Sequence, residues 1–156
     1  MKPITSEILR NSDVLRWDSR TTTVWDCQVF ELPRIQTAAG AITALNNGMD
    51  LPFEVRRVYY LYDVPGGAQR GGHAHKELIQ LIVAASGSFD VIIDDGRNRK
   101  VVSLNRPYLG LLIVPGIWRE LVNFSSGSIS LVLASDLYRE EDYIRSNNLF
   151  KQIKIH

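Results

Sequence analysis

The residue types with the clearest chemical potential lie close together in segment 70–80. This segment contains His73 and His75, two of the chain's three histidines. Side chains two residues apart on an extended strand leave the same face, so both imidazoles are expected to address one spot. The third histidine, His156, is the last residue of the sequence. A histidine pair of this kind indicates either a metal site or a centre for acid–base catalysis.

The elements that must position this pair are predicted to be strands. Short apolar runs alternate with turn signals along the chain, and almost no helical periodicity interrupts them. Many short strands at this spacing predict an all-β fold, either a sandwich or a small barrel. The predicted strands lie in segments 53–62, 78–85, 89–93, 101–104, 109–114, 119–124 and 129–134.

The two ends of the chain are expected to differ from the middle. Residues 1–22 are polar and unpatterned, which predicts an N-terminal arm that is disordered or exchanged as a strand with a neighbour. Residues 23–156 are predicted to form a single domain. Ser135 and Asp136 are a plausible helix start, so a short C-terminal helix is predicted over 137–147.

Composition excludes several classes of partner. The chain has 18 Lys and Arg against 17 Asp and Glu, so we expect neither nucleic acid nor an anionic membrane surface as its main partner. Cys27 is the only cysteine, which excludes an intrachain disulfide and a cysteine-based zinc cage. No apolar run is long enough to span a bilayer. A soluble cytoplasmic protein is therefore expected.

The spacing around the histidine pair resembles the first motif of the cupin superfamily. Gly67, His73, His75, Gln80 and Gly87 follow one another at the intervals of that motif, although Gln80 stands where a glutamate is usual. The resemblance implies a cupin, a double-stranded β-helix or jelly-roll-like small barrel. Glycines at its ends supply bends between the facing strands.

The second cupin motif is also present and bears on the question of metal. Pro115, Gly116 and Asn123 fit it, whereas Arg119 takes the position of its histidine. A cupin metal site would use three histidines and one glutamate, so Gln80 and Arg119 replace two of its four ligands. Arginine cannot deprotonate or ligate, and its charge would repel a divalent ion. No metal and no other cofactor are therefore predicted, which leaves proton transfer as the natural use of the histidines.

Two longer segments are similar to the sugar 3,4-ketoisomerases of this superfamily. They are VRRVYYLYDVPGGAQRGGHAHKELIQ and VPGIWRELVNFSSGSISLVLASDLYREEDYIR, and the similarity extends over about residues 26–152. The resemblance implies an enzyme acting on dTDP-4-keto-6-deoxy-D-glucose. It also implies a homodimer and a place in the synthesis of 3-amino-3,6-dideoxy sugars for lipopolysaccharide or other surface glycans.

The implied reaction moves a ketone from C4 to C3 through an enediol. It needs a base of near-neutral pKa, a donor for the enediolate oxygen and a dry pocket. Following the family pattern, His75 is assigned as the base and His73 as a proton shuttle or oxygen-binding partner. Tyr59 matches the first tyrosine of a Tyr-Tyr pair in the family and is the candidate second acid. Strand alternation places it on the same face as Arg57 and Leu61.

Five further side chains are candidates for substrate binding. Arg70 lies beside the histidine pair, where a guanidinium suits a diphosphate, but it could equally be a solvated loop charge. Trp118 is interpreted as a pocket wall, with a core position as the alternative. Arg119, if it points inward, would be a buried cation that needs an anionic partner. Arg57 and Gln80 complete the set.

Two other functions stay open on the sequence alone. One is a related sugar-nucleotide cupin, such as a 3,5-epimerase, which also needs a histidine base. The other is a non-catalytic cupin that binds a sugar nucleotide or another small ligand as a sensor or scaffold. Arg119 keeps the second alternative open, because members of the ketoisomerase family often carry histidine between the tryptophan and the glutamate.

Overall fold

The computed structural model describes residues 2–3 and 17–155, and strands dominate this part of the chain. The all-β prediction, with one short helix near the C-terminus, is confirmed. The strands in chain order are β1 (Lys2–Pro3), β2 (Gln28–Glu31), β3 (Ile35–Thr37), β4 (Gly40–Ile42), β5 (Arg57–Leu61), β6 (Arg70–His75), β7 (Gln80–Ser86), β8 (Phe89–Asp94), β9 (Arg99–Leu104), β10 (Leu109–Ile113), β11 (Trp118–Val122), β12 (Ile129–Ala134) and β13 (Tyr143–Ile144). The helix is α1 (Asn147–Ile153), and 3₁₀ turns cover Val24–Asp26 and Glu140–Asp142.

Two mainly antiparallel sheets carry the fold. One has the strand order β1-β2-β10-β7-β12-β5, and the other has the order β13-β6-β11-β8-β9. Strands β3 and β4 form a separate hairpin. The parallel pairing of β1 with β2 is the exception among the antiparallel neighbours. This two-sheet arrangement is the sandwich expected of a cupin.

The main core lies between the two sheets, because side chains from both meet in one cluster. Ile82 and Val132 come from the first sheet, and Phe89, Val91 and Ile93 come from the second. Strand β7 is buried on both faces, since Leu81 and Val83 belong to a second cluster on the other side of their sheet. Its near-continuous apolar sequence follows from this double burial.

The C-terminal segment departs from the predicted helix over 137–147. Residues 140–142 form a 3₁₀ turn, and Tyr143–Ile144 pair with the exposed edge of β6 as β13. The helix begins only after Ser146, whose Oγ accepts a hydrogen bond from the Leu149 N–H at 3.2 Å. Pairing with a neighbouring strand, which sequence periodicity does not reveal, overrides the local helical signal.

The start of the described domain is tied to its end by a buried lysine. The ammonium group of Lys154 donates to the carbonyl oxygens of Ser19, Thr22 and Gly116 at 2.7–2.9 Å. Trp17 also packs against both apolar clusters. The predicted arm over 1–22 thus ends in packed structure from Trp17 onward, and residues 4–16 lie outside the described residues. The division at residue 22 stays a prediction.

Helices of the described ranges include none that is both long and apolar enough to cross a membrane.

Candidate active site

A cavity of about 510 Å³ opens between the two sheets at the end that carries the histidines. Strand β5 forms one wall of the cavity, and β6 with β11 forms another. Side chains alternate along each strand, so every second side chain faces the cavity. Tyr143 and Arg145, which follow the 3₁₀ turn Glu140–Asp142, lie at the rim of the cavity. The polar side chains that line the cavity are Arg57, Tyr59, Gln69, Arg70, His73, Gln80, Arg119, Tyr138, Tyr143 and Arg145.

The charge of this cavity is strongly one-sided. Its lining includes the arginines Arg57, Arg70, Arg119 and Arg145, and no aspartate or glutamate of the described residues belongs to it. Arg145 is held by a bidentate pair with Glu140, with N–O distances of 2.6 and 2.9 Å. Guanidinium groups suit phosphate geometry, so the cavity fits an anionic ligand such as a diphosphate.

The two histidines occupy different depths. His73 lines the large cavity, whereas His75 is 0% exposed and borders a smaller neighbouring cavity of about 210 Å³. Their rings meet edge to face with centroids 4.8 Å apart, and the Tyr143 ring lies 4.4 Å from that of His75. Neither imidazole Nε2 has a hydrogen-bond partner among the described residues. The pair is adjacent, as the sequence spacing predicts.

Asp142 fixes the orientation of His75. Its Oδ2 lies 2.9 Å from His75 Nδ1, and its Oδ1 accepts the backbone N–H of Glu77 at 2.8 Å. The Asp142 carbonyl also accepts the N–H of Lys76 at 2.9 Å. A carboxylate can only accept from Nδ1–H, so the lone pair of a neutral His75 is placed on Nε2.

Both imidazoles are held neutral near pH 7. Burial lowers the pKa of His75 to about 4, against the opposing effect of its bond to Asp142. Burial, with the positive charge of Arg119, lowers the pKa of His73 to about 3. Both pKa values lie below the near-neutral value expected of the base. A neutral imidazole with a free nitrogen can still accept a proton, so the geometry allows either ring to act as a base.

A row of hydrogen-bonded side chains crosses the floor of the cavity. Arg119 donates from Nη1 to Gln80 Oε1 at 2.6 Å, and Gln80 donates from Nε2 to the Tyr59 hydroxyl at 3.1 Å. Arg119 and Gln80 are each only 1% exposed. Arg119 also donates to the Ile117 carbonyl at 3.0 Å. Burial lowers its pKa to about 10, which leaves it a cation at neutral pH.

These residues do not fit a cupin metal site. Arg119 is the strand partner of His73 and places a donor-only cation where a ligand would be needed. Its guanidinium already occupies the Gln80 oxygen, and Asp142 occupies one nitrogen of His75. Within the described ranges, no group of three or more His, Cys, Asp or Glu side chains could hold a metal ion.

The structure brings most of the predicted site residues together. Tyr59 faces inward beside Arg57 and Leu61, as strand alternation predicts. The other side chains predicted for the site that line the large cavity are Arg70, His73, Gln80 and Arg119. His75 lies next to His73 and borders the smaller cavity instead.

Trp118 is a correction to the predicted site. Strand alternation turns it away from the cavity that Arg119 faces, and it packs against Ala74, Ile144 and Phe150 on the outer side of the sheet. Trp118 is therefore a core residue and does not form a pocket wall.

Five residues of this site were not predicted from the sequence, and one of them, Gln69, precedes β6. The other four, Tyr138, Asp142, Tyr143 and Arg145, lie in segment 137–147, which was predicted to be helical. The signal was present in the resemblance, since the Asp-Tyr-Ile-Arg tail is among its most specific parts. A helix would have spread these side chains around its axis, whereas turn and strand bring Asp142 and Tyr143 against the histidines.

The chain is similar to several known proteins. The family described as FdtA (WxcM-like, C-terminal) matches residues 25–155. A TDP-4-oxo-6-deoxy-alpha-D-glucose-3,4-oxoisomerase from Aneurinibacillus thermoaerophilus is 41% identical over 125 residues, which cover 80% of this chain and 90% of that protein.

Solved structures give the same result. A 3,4-ketoisomerase from Helicobacter canadensis is 43% identical with a TM-score of 0.80, covering 82% of this chain and 96% of its own. A mutant of the 3,4-ketoisomerase QdtA from Thermoanaerobacterium thermosaccharolyticum, in complex with TDP-4-keto-6-deoxyglucose, is 33% identical with a TM-score of 0.81. That match covers 83% of this chain and 94% of the other.

Proposed function

The chain belongs to the FdtA family, and from this premise we propose that it is a TDP-sugar 3,4-ketoisomerase. The carrying observation is a cavity lined by four arginines and no carboxylate of the described residues, in which His73 and Tyr59 also line the wall and the His75 ring lies next to that of His73. The arginines suit the diphosphate of a nucleotide sugar, and the histidines and the tyrosine suit proton transfer. One cavity thus provides for both halves of the substrate.

The proton transfers follow from the neutral state of the imidazoles. His75, oriented by Asp142, takes the C3 proton, and the electrons of the C–H bond form a C3–C4 double bond. The C4 carbonyl oxygen becomes an enediolate oxygen, to which Tyr59 donates a hydrogen bond. His73 lines the cavity with its ring next to that of His75, and it relays or orients the proton.

The second half of the reaction restores the ketone at C3. The C3 hydroxyl proton moves to the C4 oxygen, and the imidazolium returns a proton to C4. Each bond broken is matched by one formed, and no electron leaves the sugar, so the isomerisation needs no redox cofactor. The hydrogen bond from the Tyr59 hydroxyl stabilises the negative charge that develops between the two steps.

The decisive experiment incubates the purified protein with TDP-4-keto-6-deoxyglucose and follows the sugar by NMR. A 3-keto product supports the proposal. Inversion at C5 without movement of the ketone would indicate a 3,5-epimerase, and tight binding without turnover would indicate a non-catalytic cupin. A control variant, Trp25→Ala, should form the same product, because Trp25 is exposed and lies outside the cavity lining.

Three broader properties are part of the proposal. The enzyme acts in deoxy amino sugar synthesis for surface glycans, assembles as a homodimer and works in the cytoplasm. The resemblance of the sequence supports the first two. The arginine-lined cavity supports a nucleotide-sugar substrate, which the first of these properties requires.

A further inference from the structure

The floor of the cavity contains a hydrogen-bond chain whose direction is fixed by chemistry. Its three members are Arg119, Gln80 and Tyr59, joined at 2.6 and 3.1 Å. A guanidinium has five donors and no acceptor, so the group that Gln80 turns toward Arg119 must be its carbonyl oxygen. The amide nitrogen of Gln80 then faces Tyr59, and a side-chain amide nitrogen can only donate.

This direction determines what the Tyr59 hydroxyl can do. Its oxygen accepts from Gln80, which leaves its own proton for another acceptor. Tyr59 lines the cavity, and the only hydrogen-bond partner of its hydroxyl among the described residues is Gln80. The hydroxyl proton is thus available to a ligand oxygen in the cavity.

We propose that Gln80 and Arg119 are positioning residues that hold Tyr59 as an obligate hydrogen-bond donor to the substrate's enediolate oxygen. This inference rests on the proposed ketoisomerase function and deepens it. It also gives a reason for the two departures from the cupin metal ligands. The positions of a carboxylate and a histidine ligand have become an amide and a cation, which together orient a tyrosine.

The surroundings of Tyr59 agree with this role. Burial raises the pKa of Tyr59, while Arg119 and the bond from Gln80 oppose that rise. The phenol therefore keeps its proton at neutral pH, and its bond to the developing oxyanion strengthens as charge builds up on that oxygen. The Arg57 guanidinium, 5.4 Å from the Tyr59 ring, adds positive charge at the same end of the cavity.

Reversing the direction of the chain tests the proposal. Gln80→Glu keeps the size and shape of the side chain, but its carboxylate accepts from Arg119 and also from the Tyr59 O–H. Tyr59 would then donate to residue 80 instead of to the substrate. Loss of one oxyanion donor typically lowers kcat about a hundredfold to a thousandfold, and we expect a loss in this range with little change in KM.

Gln80→Met supplies the matched comparison, because it removes both amide groups at similar volume and leaves the Tyr59 proton free. We expect Gln80→Glu to be the less active of the two variants. A merely structural role predicts the opposite order, since glutamate preserves the shape and the bond to Arg119. Equal activities, or a more active Gln80→Glu, would overturn the proposal.

A double-mutant cycle separates the tyrosine from the added charge. In a Tyr59→Phe background, Gln80→Glu should lower kcat less than twofold further, because the donor is already absent. A full additional loss would show that the carboxylate acts by neutralising Arg119, and the proposal would fail. All assays contain EDTA, since residue 80 as glutamate would add a third acidic or imidazole ligand beside His73 and His75.

A readout independent of turnover distinguishes this proposal from the proposed function. With ¹³Cζ-labelled tyrosine, the NMR titration of Tyr59 is identified by its absence in Tyr59→Phe. Gln80→Glu should raise the Tyr59 pKa further, because the new carboxylate accepts the phenol proton and opposes its loss. An unchanged or lowered pKa contradicts the hydrogen-bond reversal whether or not the protein isomerises the keto sugar.

Discussion

His75 Nδ1 and Asp142 Oδ2 lie 2.9 Å apart in a buried pair that joins residues 67 positions apart in sequence. The strand pairing of His75 with Tyr143 brings Asp142 to this position. The carboxylate directs the free lone pair of His75 to Nε2 and stabilises the imidazolium that forms when the ring takes a proton. The pair therefore gives His75 a defined tautomer before the substrate arrives.

Replacing Asp142 by asparagine should abolish most of the activity. In Asp142→Asn the amide can donate to Nδ1, which favours the tautomer with its proton on Nε2 and removes the base. A comparable change in a Ser-His-Asp triad lowers kcat about ten-thousandfold, and we expect a loss of at least about a hundredfold here, with little change in KM. Steady-state kinetics with the TDP-linked keto sugar measures it.

The pH profile provides a second measurement on the same variant. The carboxylate raises the pKa of His75, so its removal should move the acidic limb of the residual kcat/KM to lower pH. Tyr143, Arg57 and Arg119 also face His75 and remain unchanged. Glu141→Gln alters a neighbouring exposed carboxylate and should behave as the unmodified protein does. Asp142→Asn with activity within threefold of the parent protein would contradict the assigned role.

Stability should fall as pH decreases from about 6.5 toward 4. The pKa values of His75 and His73 are depressed to about 4 and about 3, below their ordinary value of 6.5, so the unfolded chain binds protons that the folded chain does not. Their contribution to the free energy of unfolding is complete above pH 6.5 and is lost as pH falls. The slope approaches about 1.4 kcal/mol per pH unit for each histidine.

Urea unfolding at pH 7.0, 6.0 and 5.0 measures this dependence. His73→Asn should reduce the slope between pH 6 and 5 by about half, because one of the two buried imidazoles no longer titrates. A slope that is the same in both proteins would show that His73 does not contribute.

The sequence was sufficient for the parts of the fold that depend on local periodicity. The spacing of short apolar runs predicted an all-β sandwich or small barrel, and strand alternation placed Tyr59, Arg57 and Leu61 on one face. The spacing of His73 and His75 correctly predicted that their rings would be neighbours. These features follow from the two-residue period of a strand, which the sequence displays directly.

Contacts between distant strands could not be obtained in this way. Periodicity shows that Trp118 and Arg119 face opposite sides but not which side faces the core between the sheets. The burial of Trp118 against Phe150 depends on helix α1. That helix was predicted over 137–147 but lies at Asn147–Ile153. The role of Asp142 depends on the same misplaced segment, because β13 forms only by pairing with β6.

Activity should survive exhaustive chelation. Arg119 offers only donors at the position of a cupin ligand and carries a charge that repels cations, so a divalent ion gains too few ligands to bind tightly. We expect unchanged kcat after dialysis against EDTA and far less than one equivalent of transition metal by elemental analysis. About one equivalent per chain, with activity lost on its removal and regained on its return, would contradict the metal-independent reaction.

The protein should be a dimer in solution. Strand β5 is the last strand of its sheet in the described topology, and Val58 and Tyr60 on its outer face and Tyr62 just after its end are exposed. An exposed strand edge with aromatic side chains is a surface that proteins commonly cover. Sedimentation at micromolar concentration should give twice the 17.6 kDa chain mass. A single species at the monomer mass would contradict this prediction.

Removing the base should separate catalysis from binding. His75→Asn keeps much of the shape and polarity of the side chain, but loss of a positioned general base lowers kcat by about a hundredfold to ten-thousandfold. His73→Asn should have a smaller effect if that ring only relays or orients. TDP affinity, measured by calorimetry, should change little in either variant, because the arginines that line the cavity are retained. The opposite order of the two losses would move the base assignment to His73, which lines the cavity directly.

Isotope incorporation tests the same assignment from the side of the product. The proton returned to C4 passes through an exchangeable imidazole, so turnover in deuterium oxide should place deuterium at C4. Complete internal return of the C3 proton would hide this label, and C3-deuterated substrate in ordinary water exposes that case by carrying its deuterium to C4. The assignment would be overturned by near-normal turnover in His75→Asn. It would also be overturned by a product without C4 label in deuterium oxide, when C3-deuterated substrate transfers no deuterium either.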